Sequence, residues 1–330
     1  MIGRKQDMIQ CLLITSDDHK VMTILSTILP IFFVILLGWA FHRMGFIPQA
    51  FLGPGNRLVF YLAIPAMIFR SIAKATITTQ FDIRVILVTL MAVLIMFGLT
   101  WFAAGFIRAA RTGQRGTFVQ SAFHGNIGYI ALAIAFYALG NEGLVRASII
   151  AGFVMILQNL LAISILQYYS DNAAIKGKSS LALVKILGNP VILSSIAGIL
   201  ASLLGIPIPK VIDQTLEIIG GLALPMALLI IGASLTFDLV RSRIASVMSA
   251  SIIKLIVLPG LGFLGFRFLG LSAQDYLPGL ILLATPTATI AVVMAHEIDG
   301  DMDFAVATVS VSTLLSAITV SAWLKLSAML

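Results

Sequence analysis

The sequence predicts an all-α membrane protein with ten transmembrane helices, built as two five-helix repeats of opposite orientation. Of its 330 residues, 59% are hydrophobic and 11% are charged, and the mean hydropathy is +1.06. Soluble domains carry about 25% charged residues, so much of this surface must face lipid. The apolar runs last about 20 residues, which is the length of a membrane-crossing helix, whereas barrel strands alternate over roughly ten. Features recurring at one sequence offset indicate the repeat.

Charged residues, glycine and proline divide the apolar sequence into ten segments. These lie near residues 22–41, 55–75, 85–107, 117–139, 146–168, 182–204, 216–236, 245–268, 277–296 and 304–326. The predicted organisation is an N-terminal tail over 1–21, a first repeat over 22–168, a central cytoplasmic loop over 169–181 and a second repeat over 182–330. The charged tail is either a surface helix or an extension upstream of a true start at Met22.

A single offset of 160 residues relates the two halves. It pairs Leu62-Ala63-Ile64-Pro65 with Leu222-Ala223-Leu224-Pro225, Gly38 and Gly45 with Gly198 and Gly205, and Asn126 with Pro286. Each half contains five segments, and an odd number of crossings makes the second half enter the membrane from the opposite side. The repeat is therefore predicted to be inverted, which is a common design of secondary transporters.

The distribution of basic residues predicts the orientation. Ten Lys and Arg residues lie in the loops that follow segments 1, 3, 5, 7 and 9, and six lie on the other side, or seven with Arg70. Because basic loops stay in the cytoplasm, both termini are expected outside it, in a protein of the plasma membrane. Arg70 itself is expected to anchor a helix at the membrane edge.

Segments 4 and 9 do not have the composition of plain membrane helices. Segment 4 contains His124-Gly125-Asn126-Ile127-Gly128, and segment 9 contains Ala284-Thr285-Pro286-Thr287-Ala288-Thr289 at the matching depth. Glycine pairs and proline interrupt helices, so two broken helices should cross near the midplane. Their half-helix N-termini would then offer N–H groups to a carboxylate. A proline kink in one helix and glycine packing in the other is the alternative.

The predicted substrate site consists of the residues at these two interruptions: Gly125, Asn126, Gly128, Thr285, Pro286 and Thr287. Segment 4 has no acidic residue and segment 9 reaches Glu297 only at its end, so a carboxylate-centred ion exchanger is not favoured. His124 could carry a coupling proton or could be a packed histidine. Lys254, within segment 8, could attract substrate anions or could extend its ammonium to a membrane face.

Enzymatic and metal chemistry is not indicated. Cys11 is the only cysteine, and the calcium-like spacing of 299–303 is followed by Phe304 where an EF-hand needs glycine. No phosphate-binding loop, zinc signature or nucleophile with an acid–base pair is visible. We therefore predict no catalytic residues, no metal and no cofactor, with a small carboxylate and membrane lipid as partners and no nucleic acid.

Four motifs in order resemble the auxin efflux carrier family. They are Asn56-Arg57-Leu58-Val59-Phe60-Tyr61-Leu62-Ala63-Ile64-Pro65, Gly125-Asn126-Ile127-Gly128, Leu224-Pro225 through Gly232-Ala233-Ser234-Leu235, and Ala284-Thr285-Pro286-Thr287-Ala288-Thr289. The family joins plant auxin exporters to bacterial carriers, some associated with malonate. The resemblance, to the bacterial branch, implies an inner-membrane elevator-type carrier related in fold to bile-acid/sodium symporters and sodium–proton antiporters.

The resemblance also implies roles for parts of the chain. Segments 1, 2, 6 and 7 would form a scaffold that dimerises through helices 2 and 7, and segments 3–5 and 8–10 a moving transport domain. Asn126 and Pro286 match the crossover residues, and Pro65 and Pro225 match scaffold prolines that act in hinges or packing. Family members commonly have a second proline where this sequence has Ala133, which leaves the break in segment 4 to its glycines.

These observations predict a secondary transporter of small organic anions, with auxin-like or malonate-like carboxylates as substrates. Two alternatives stay open. One is an ion-coupled symporter or antiporter driven by protons or sodium, and the other is a membrane receptor that binds an anion without moving it.

Overall fold

The computed structural model describes residues 17–76, 82–106, 112–172 and 188–329. Within these ranges all regular secondary structure is helical and no β-strand occurs. One isolated antiparallel bridge joins Gly125 to Thr287. Seven helical stretches in these ranges are long and apolar enough to cross a membrane. The chain is therefore a multi-pass helical membrane protein, as its composition predicts.

The helices are numbered here in chain order. They are α1 (Asp17–Arg43), α2 (Gln49–Ala73), α3 (Ile83–Ala104), α4 (Thr112–Phe123), α5 (Ile127–Tyr169), α6 (Pro190–Leu203), α7 (Lys210–Ala233), α8 (Ile244–Phe268), α9 (Ala273–Ala284), α10 (Ile290–Glu297) and α11 (Met302–Met329). Single π-helical turns interrupt α2 at Val59–Ala63 and α8 at Ile253–Val257, and α5 opens with another.

Every predicted segment overlaps helix, but three differ from a simple crossing. Segment 4 is divided between α4 and the start of α5, which continues into segment 5 through a turn at Gly140 with φ of 72°. Segment 9 is divided into α9 and α10. Helix α6 covers only part of segment 6, whose first residues, 182–187, lie outside the described ranges together with residues 1–16 and 173–181. These divisions explain why seven long stretches are found. The described part of α1 already extends from Asp17, before the predicted boundary at residue 22.

Glycines bring two pairs of helices into backbone contact. A Cβ atom on Gly38 of α1 would overlap the carbonyl oxygen of Leu229 in α7. A Cβ atom on Gly198 of α6 would lie 3.2 Å from the carbonyl oxygen of Phe69 in α2. Gly38 and Gly198 are 160 residues apart, and so are Phe69 and Leu229. The offset found in the sequence thus relates the α1–α7 packing to the α2–α6 packing.

The turns that follow α1 and α6 also correspond. Gly45 has φ of 79° and Gly205 has φ of 61°, a left-handed conformation that favours glycine. The Gly45 N–H donates to the His42 carbonyl (3.0 Å), and the Gly205 N–H donates to the Ser202 carbonyl (3.1 Å). Each donor and acceptor is displaced by 160 positions from its counterpart, so the two turns have the same local structure.

Charged residues pair at the helix ends. Arg70 of α2 donates to Asp213 (2.8 Å) and Glu217 (2.9 Å) of α7, and Lys74 reaches Asp213 at 2.6 Å. Arg70 therefore joins α2 to α7 through ion pairs. The sequence predicted Arg70 as an anchor at the membrane edge and did not predict these contacts.

Replacing Gly232 by alanine should destabilise the protein. A Cβ atom there would overlap the carbonyl oxygen of Ile35, and neither backbone can move independently of its helix. Overpacking of this kind costs about 1–3 kcal/mol, so a lower melting temperature is expected in detergent. Gly221→Ala is the control in the same helix, because its Cβ atom would meet nothing within 4 Å. An equal melting temperature for both variants would contradict the close α1–α7 packing.

Candidate functional site

Two helices are interrupted at the positions that the sequence singles out. Helix α4 ends at Phe123 and α5 begins at Ile127, while α9 ends at Ala284 and α10 begins at Ile290. The non-helical stretches are residues 124–126 and 285–289. We call them the crossover strands, although they are short segments joined by one isolated bridge and do not form a sheet. Residues 124–126 and 285–288 are buried, so their backbone groups need partners inside the protein.

The crossover strands supply many of these partners to each other. The Asn126 N–H donates to the Pro286 carbonyl (2.8 Å), and the Ala288 N–H donates to the His124 carbonyl (2.9 Å). Between these two bonds lies the bridge of Gly125 with Thr287. Asn126 and Pro286, the pair matched by the 160-residue offset, are thus directly hydrogen-bonded.

The break in segment 4 depends on Gly125. A Cβ atom on Gly125 would lie 2.8 Å from Thr285 Oγ1 and 3.3 Å from Lys254 Nζ, so any larger residue would have to displace these two side chains. Gly128 already belongs to α5, and a Cβ atom there would meet nothing within 4 Å. Ala133 lies inside α5 without disturbing it. The interruption therefore ends at Ile127, with Gly128 in the first turn of α5 and no proline at 133.

Gln158 of α5 stabilises the end of α4. Its Nε2 donates to the Phe123 carbonyl (3.0 Å), and its Oε1 accepts from the Gly125 N–H (3.2 Å). The side chain is 1% exposed, so one amide replaces two backbone partners that the broken helix has lost. Gln158 thus links α5 to the end of α4 by hydrogen bonds.

Lys254 of α8 stabilises the end of α9 in the corresponding way. Its Nζ donates to the carbonyls of Leu283 (2.7 Å) and Thr285 (2.6 Å), and the residue is completely buried. A cation at this position complements the negative end of the α9 dipole. The ammonium therefore lies at the crossover and does not extend to a membrane face.

The threonines of segment 9 use their hydroxyls for the fold. Thr285 Oγ1 donates to the Leu282 carbonyl (2.8 Å), and Thr287 Oγ1 donates to the Ser121 carbonyl (2.8 Å). The Thr287 N–H in turn donates to Ser312 Oγ of α11 at 3.1 Å. Helices α4, α9 and α11 are thereby joined around the second crossover strand.

Sequence comparison gives the family. Residues 23–324 match the family described as Membrane transport protein, which is the auxin efflux carrier family. The chain belongs to this family. A Rhizobium meliloti protein named "Putative malonate transporter" is 27% identical over 92% of this chain and 95% of its own length. An "Uncharacterized transporter" of Methanothermobacter thermautotrophicus is 25% identical over 90% and 96%.

Membership of this transporter family makes the chain a membrane transporter rather than an enzyme. The match covers all ten predicted segments except the last two residues of segment 10 and the first of segment 1. It therefore includes both crossover strands and all the residues that hold them. The resemblance deduced from the four motifs is confirmed.

Several polar side-chain atoms of this protein are buried without a hydrogen-bond partner. In the described part of the chain, the buried side-chain atoms without a hydrogen-bond partner include several at this crossover. They are Gln120 Oε1, Ser121 Oγ, His124 Nδ1, Asn126 Nδ2 and Thr313 Oγ1. Each such group costs about 1–3 kcal/mol unless it meets water or a ligand. The crossover therefore holds unused hydrogen-bonding capacity.

His124 and Asn126 contribute to this capacity differently. The His124 ring stacks on Phe123, with centroids 6.2 Å apart and planes at 8°, and the residue is 4% exposed. Asn126 is 5% exposed and precedes the first turn of α5, yet its side chain forms no capping bond. Its amide is thus available at a helix N-terminus, where backbone N–H groups also lack helical acceptors.

The electrostatics of the crossover are positive. Lys254 places an ammonium there, and no aspartate or glutamate occurs in residues 83–141, 276–296 or 304–330. The C-terminal ends of α4 and α9 are occupied by Gln158 and Lys254. The N-terminal ends of α5 and α10, which carry partial positive charge, have no comparable side-chain cap. Such a site favours an anion.

One contact outside the crossover was not predicted from the sequence, and the two scaffold prolines lie in irregular parts of their helices. Tyr129, in the first turn of α5, donates through its hydroxyl to Asn56 Oδ1 of α2. Pro65 and Pro225 lie just after irregular turns, the π turn of α2 and the break at Leu222 in α7. Asn56 was visible only as part of a family motif, because a bond to a residue 73 positions away has no local signature.

Replacing Gln158 by leucine should destabilise the crossover. The Phe123 carbonyl and the Gly125 N–H would both be buried without a partner, which costs about 1–3 kcal/mol for each group. We expect a clear fall in melting temperature. Asn159→Leu is the matched control, because the Asn159 amide donates only to the Met155 carbonyl of its own helix (2.8 Å). If the two variants have the same melting temperature, Gln158 does not support the crossover.

Proposed function

We propose that this protein is a secondary carrier of small organic anions that binds a carboxylate at the crossover and works by elevator-type alternating access. The observation that carries the proposal is the Asn126 amide. Its Nδ2 is buried and has no partner among the described residues, and Asn126 lies at the N-terminus of α5, next to Gly125, which faces the Lys254 ammonium. A carboxylate supplies the acceptor oxygens and the charge that this arrangement lacks.

The proposed substrates are malonate-like or auxin-like carboxylates. The name of the Rhizobium meliloti relative supports the first, and the family supports the second. In the proposed site Asn126 donates to the substrate, and the backbones of Gly125, Gly128 and Pro286 shape the space around it. Thr285 and Thr287 position the second crossover strand, since both hydroxyls already donate to backbone carbonyls.

We further propose ten crossings in two inverted repeats, over residues 22–168 and 182–330. The equal offset of the Gly38–Leu229 and Gly198–Phe69 contacts supports this, as do the matching turns at Gly45 and Gly205. The scaffold would consist of α1, α2, α6 and α7, dimerising through α2 and α7, with Pro65 and Pro225 at its irregular turns. Helices α3–α5 and α8–α11 would form the transport domain.

The proposed location is the bacterial inner membrane, with both termini outside the cytoplasm. The excess of Lys and Arg in the loops after the odd-numbered segments supports this orientation.

Proton coupling through His124 is the second candidate function. The observation that favours it is the buried Nδ1, which has no hydrogen-bond partner in the described part of the chain. An imidazole is the side chain that most readily exchanges a proton near neutral pH.

Replacing Asn126 by alanine should abolish most transport while leaving the fold intact. Loss of one charge-assisted hydrogen bond costs roughly 1.5–3 kcal/mol, or about 10- to 100-fold in affinity. The measurement is accumulation of radiolabelled malonate and indole-3-acetate in proteoliposomes. Asn126→Asp, which replaces the donor by a negative charge, should be at least as inactive, and Asn159→Ala is the control.

Unchanged accumulation by Asn126→Ala would refute the site. Label that binds to the wild-type protein without entering the lumen would instead indicate the receptor.

The His124 candidate has its own test. If His124 carries a proton, His124→Gln should remove the dependence of flux on a pH gradient while substrate binding persists. If the wild-type flux of a fully ionised anion follows only the membrane potential, and is equal at pH 6 and pH 8, the carrier is not proton-coupled at His124.

A further inference from the structure

We propose that the side chain of Lys254 occupies the place of a coupling cation, so that this carrier works without sodium. The inference deepens the proposed function, because it assigns the energetics of the same crossover. It concerns the C-terminal end of α9, where a broken helix exposes carbonyl oxygens.

The carbonyl groups at such an end are ligands for a cation. The last turn of a helix leaves carbonyls without N–H partners, and carriers with broken membrane helices use them to coordinate Na⁺. Here Lys254 Nζ lies 2.7 Å from the Leu283 oxygen and 2.6 Å from the Thr285 oxygen. A cation is therefore already present at these oxygens, but it is covalently attached to α8.

Neighbouring residues leave room for this ammonium. Any Cβ atom on Gly125 would lie 3.3 Å from both Cε and Nζ of Lys254, so a larger residue would crowd the end of the side chain. Lys254 also lies in the π turn Ile253–Val257, an irregularity often found at functional sites. Both features indicate that the fold accommodates the ammonium at the crossover. A lysine that served only in packing would need neither the glycine at 125 nor the π turn.

The charge of Lys254 is not neutralised within the protein. No carboxylate within the described ranges pairs with it, and neither aspartate nor glutamate occurs in the sequence of the crossing segments that surround it. A substrate carboxylate would therefore balance this charge. Because a tethered cation returns with the empty carrier, the net charge moved in each cycle is that of the substrate alone.

A purely structural cap makes a different prediction. If Lys254 only stabilised α9, removing it would lower stability, and no small cation would restore what was lost. If it replaces a coupling cation, truncation creates a cation site with the carbonyl oxygens still in place. Adding small cations to the truncated variant therefore distinguishes a structural cap from a replacement for a coupling cation.

The primary experiment measures melting temperatures of detergent-purified variants in chloride salts of sodium, potassium, ammonium, methylammonium and choline at equal ionic strength. Wild-type protein should melt at the same temperature in all five. Lys254→Ala should melt lower in choline and rise by several degrees in ammonium, methylammonium or sodium, since a ligand of the folded state stabilises it by mass action. Lys254→Met, which fills the space, should show no rise, and neither should Lys325→Ala, which removes an exposed lysine.

Two results would overturn the proposal: stabilisation of the wild type by sodium over choline, or a folded Lys254→Ala variant that responds to none of the cations. If Lys254→Ala does not fold in choline, the yield of monodisperse protein purified in ammonium replaces the melting temperature. Recovery in ammonium alone supports the proposal, and no recovery in any cation refutes it.

Transport gives the second measurement. Wild-type accumulation of malonate should be equal in sodium and choline, whereas Lys254→Ala should lose about tenfold or more in choline and recover severalfold with ammonium. If wild-type protein accumulates neither malonate nor indole-3-acetate, the proposed function fails, while the melting temperatures still decide whether Lys254 fills a cation site.

Discussion

Backbone groups inside a membrane must find partners within the protein, and the centre of this fold depends on that constraint. Breaking two helices at one depth removes helical partners from 124–126 and 285–289. The crossover strands recover some by pairing with each other, and two long side chains supply others. Gln158 serves the end of α4, and Lys254 serves the end of α9. The C-terminal ends of α4 and α9, which carry negative partial charge, are thus capped by these side chains. The N-terminal ends of α5 and α10, which carry positive partial charge, have no side-chain cap.

This difference between the helix ends arises without a cluster of charged side chains. A neutral amide at one carbonyl end and an ammonium at the other leave a net positive centre. Asn126 adds a donor that the fold does not use. The chain has only 11% charged residues, and at the described crossover the buried Lys254 has no acidic side chain beside it. The described crossover has no carboxylate, and two of the carbonyl oxygens at the end of α9 already accept from Lys254.

Much of this arrangement could be predicted from the sequence, because helix-breaking residues act locally. The interruptions at Gly125-Asn126 and at Thr285-Pro286 follow from backbone propensity, and the 160-residue offset identified two residues that are hydrogen-bonded. The partners of Gln158 and Lys254 could not be predicted, since a long side chain reaches residues whose proximity depends on the tertiary fold. The exact start of α5 at Ile127, with Gly128 inside its first turn, could not be predicted either, because two glycines so close together do not specify which of them ends the interruption.

The same bonds restrict how the site can move. Lys254 in α8, Gln158 in α5 and Ser312 in α11 each bond to the crossover strands, so displacing any of these helices alone would leave buried backbone groups unpaired. The α1–α7 and α2–α6 pairs are held separately by backbone contact at glycines. A motion that preserves both sets must carry the crossover and its supporting helices together past the glycine-packed pairs. Two hydrogen bonds join the two sets: Tyr129 of α5 donates to Asn56 of α2, and the Thr236 N–H, which follows α7, donates to Ser310 Oγ of α11 at 3.0 Å. Such a motion would have to exchange both of these bonds.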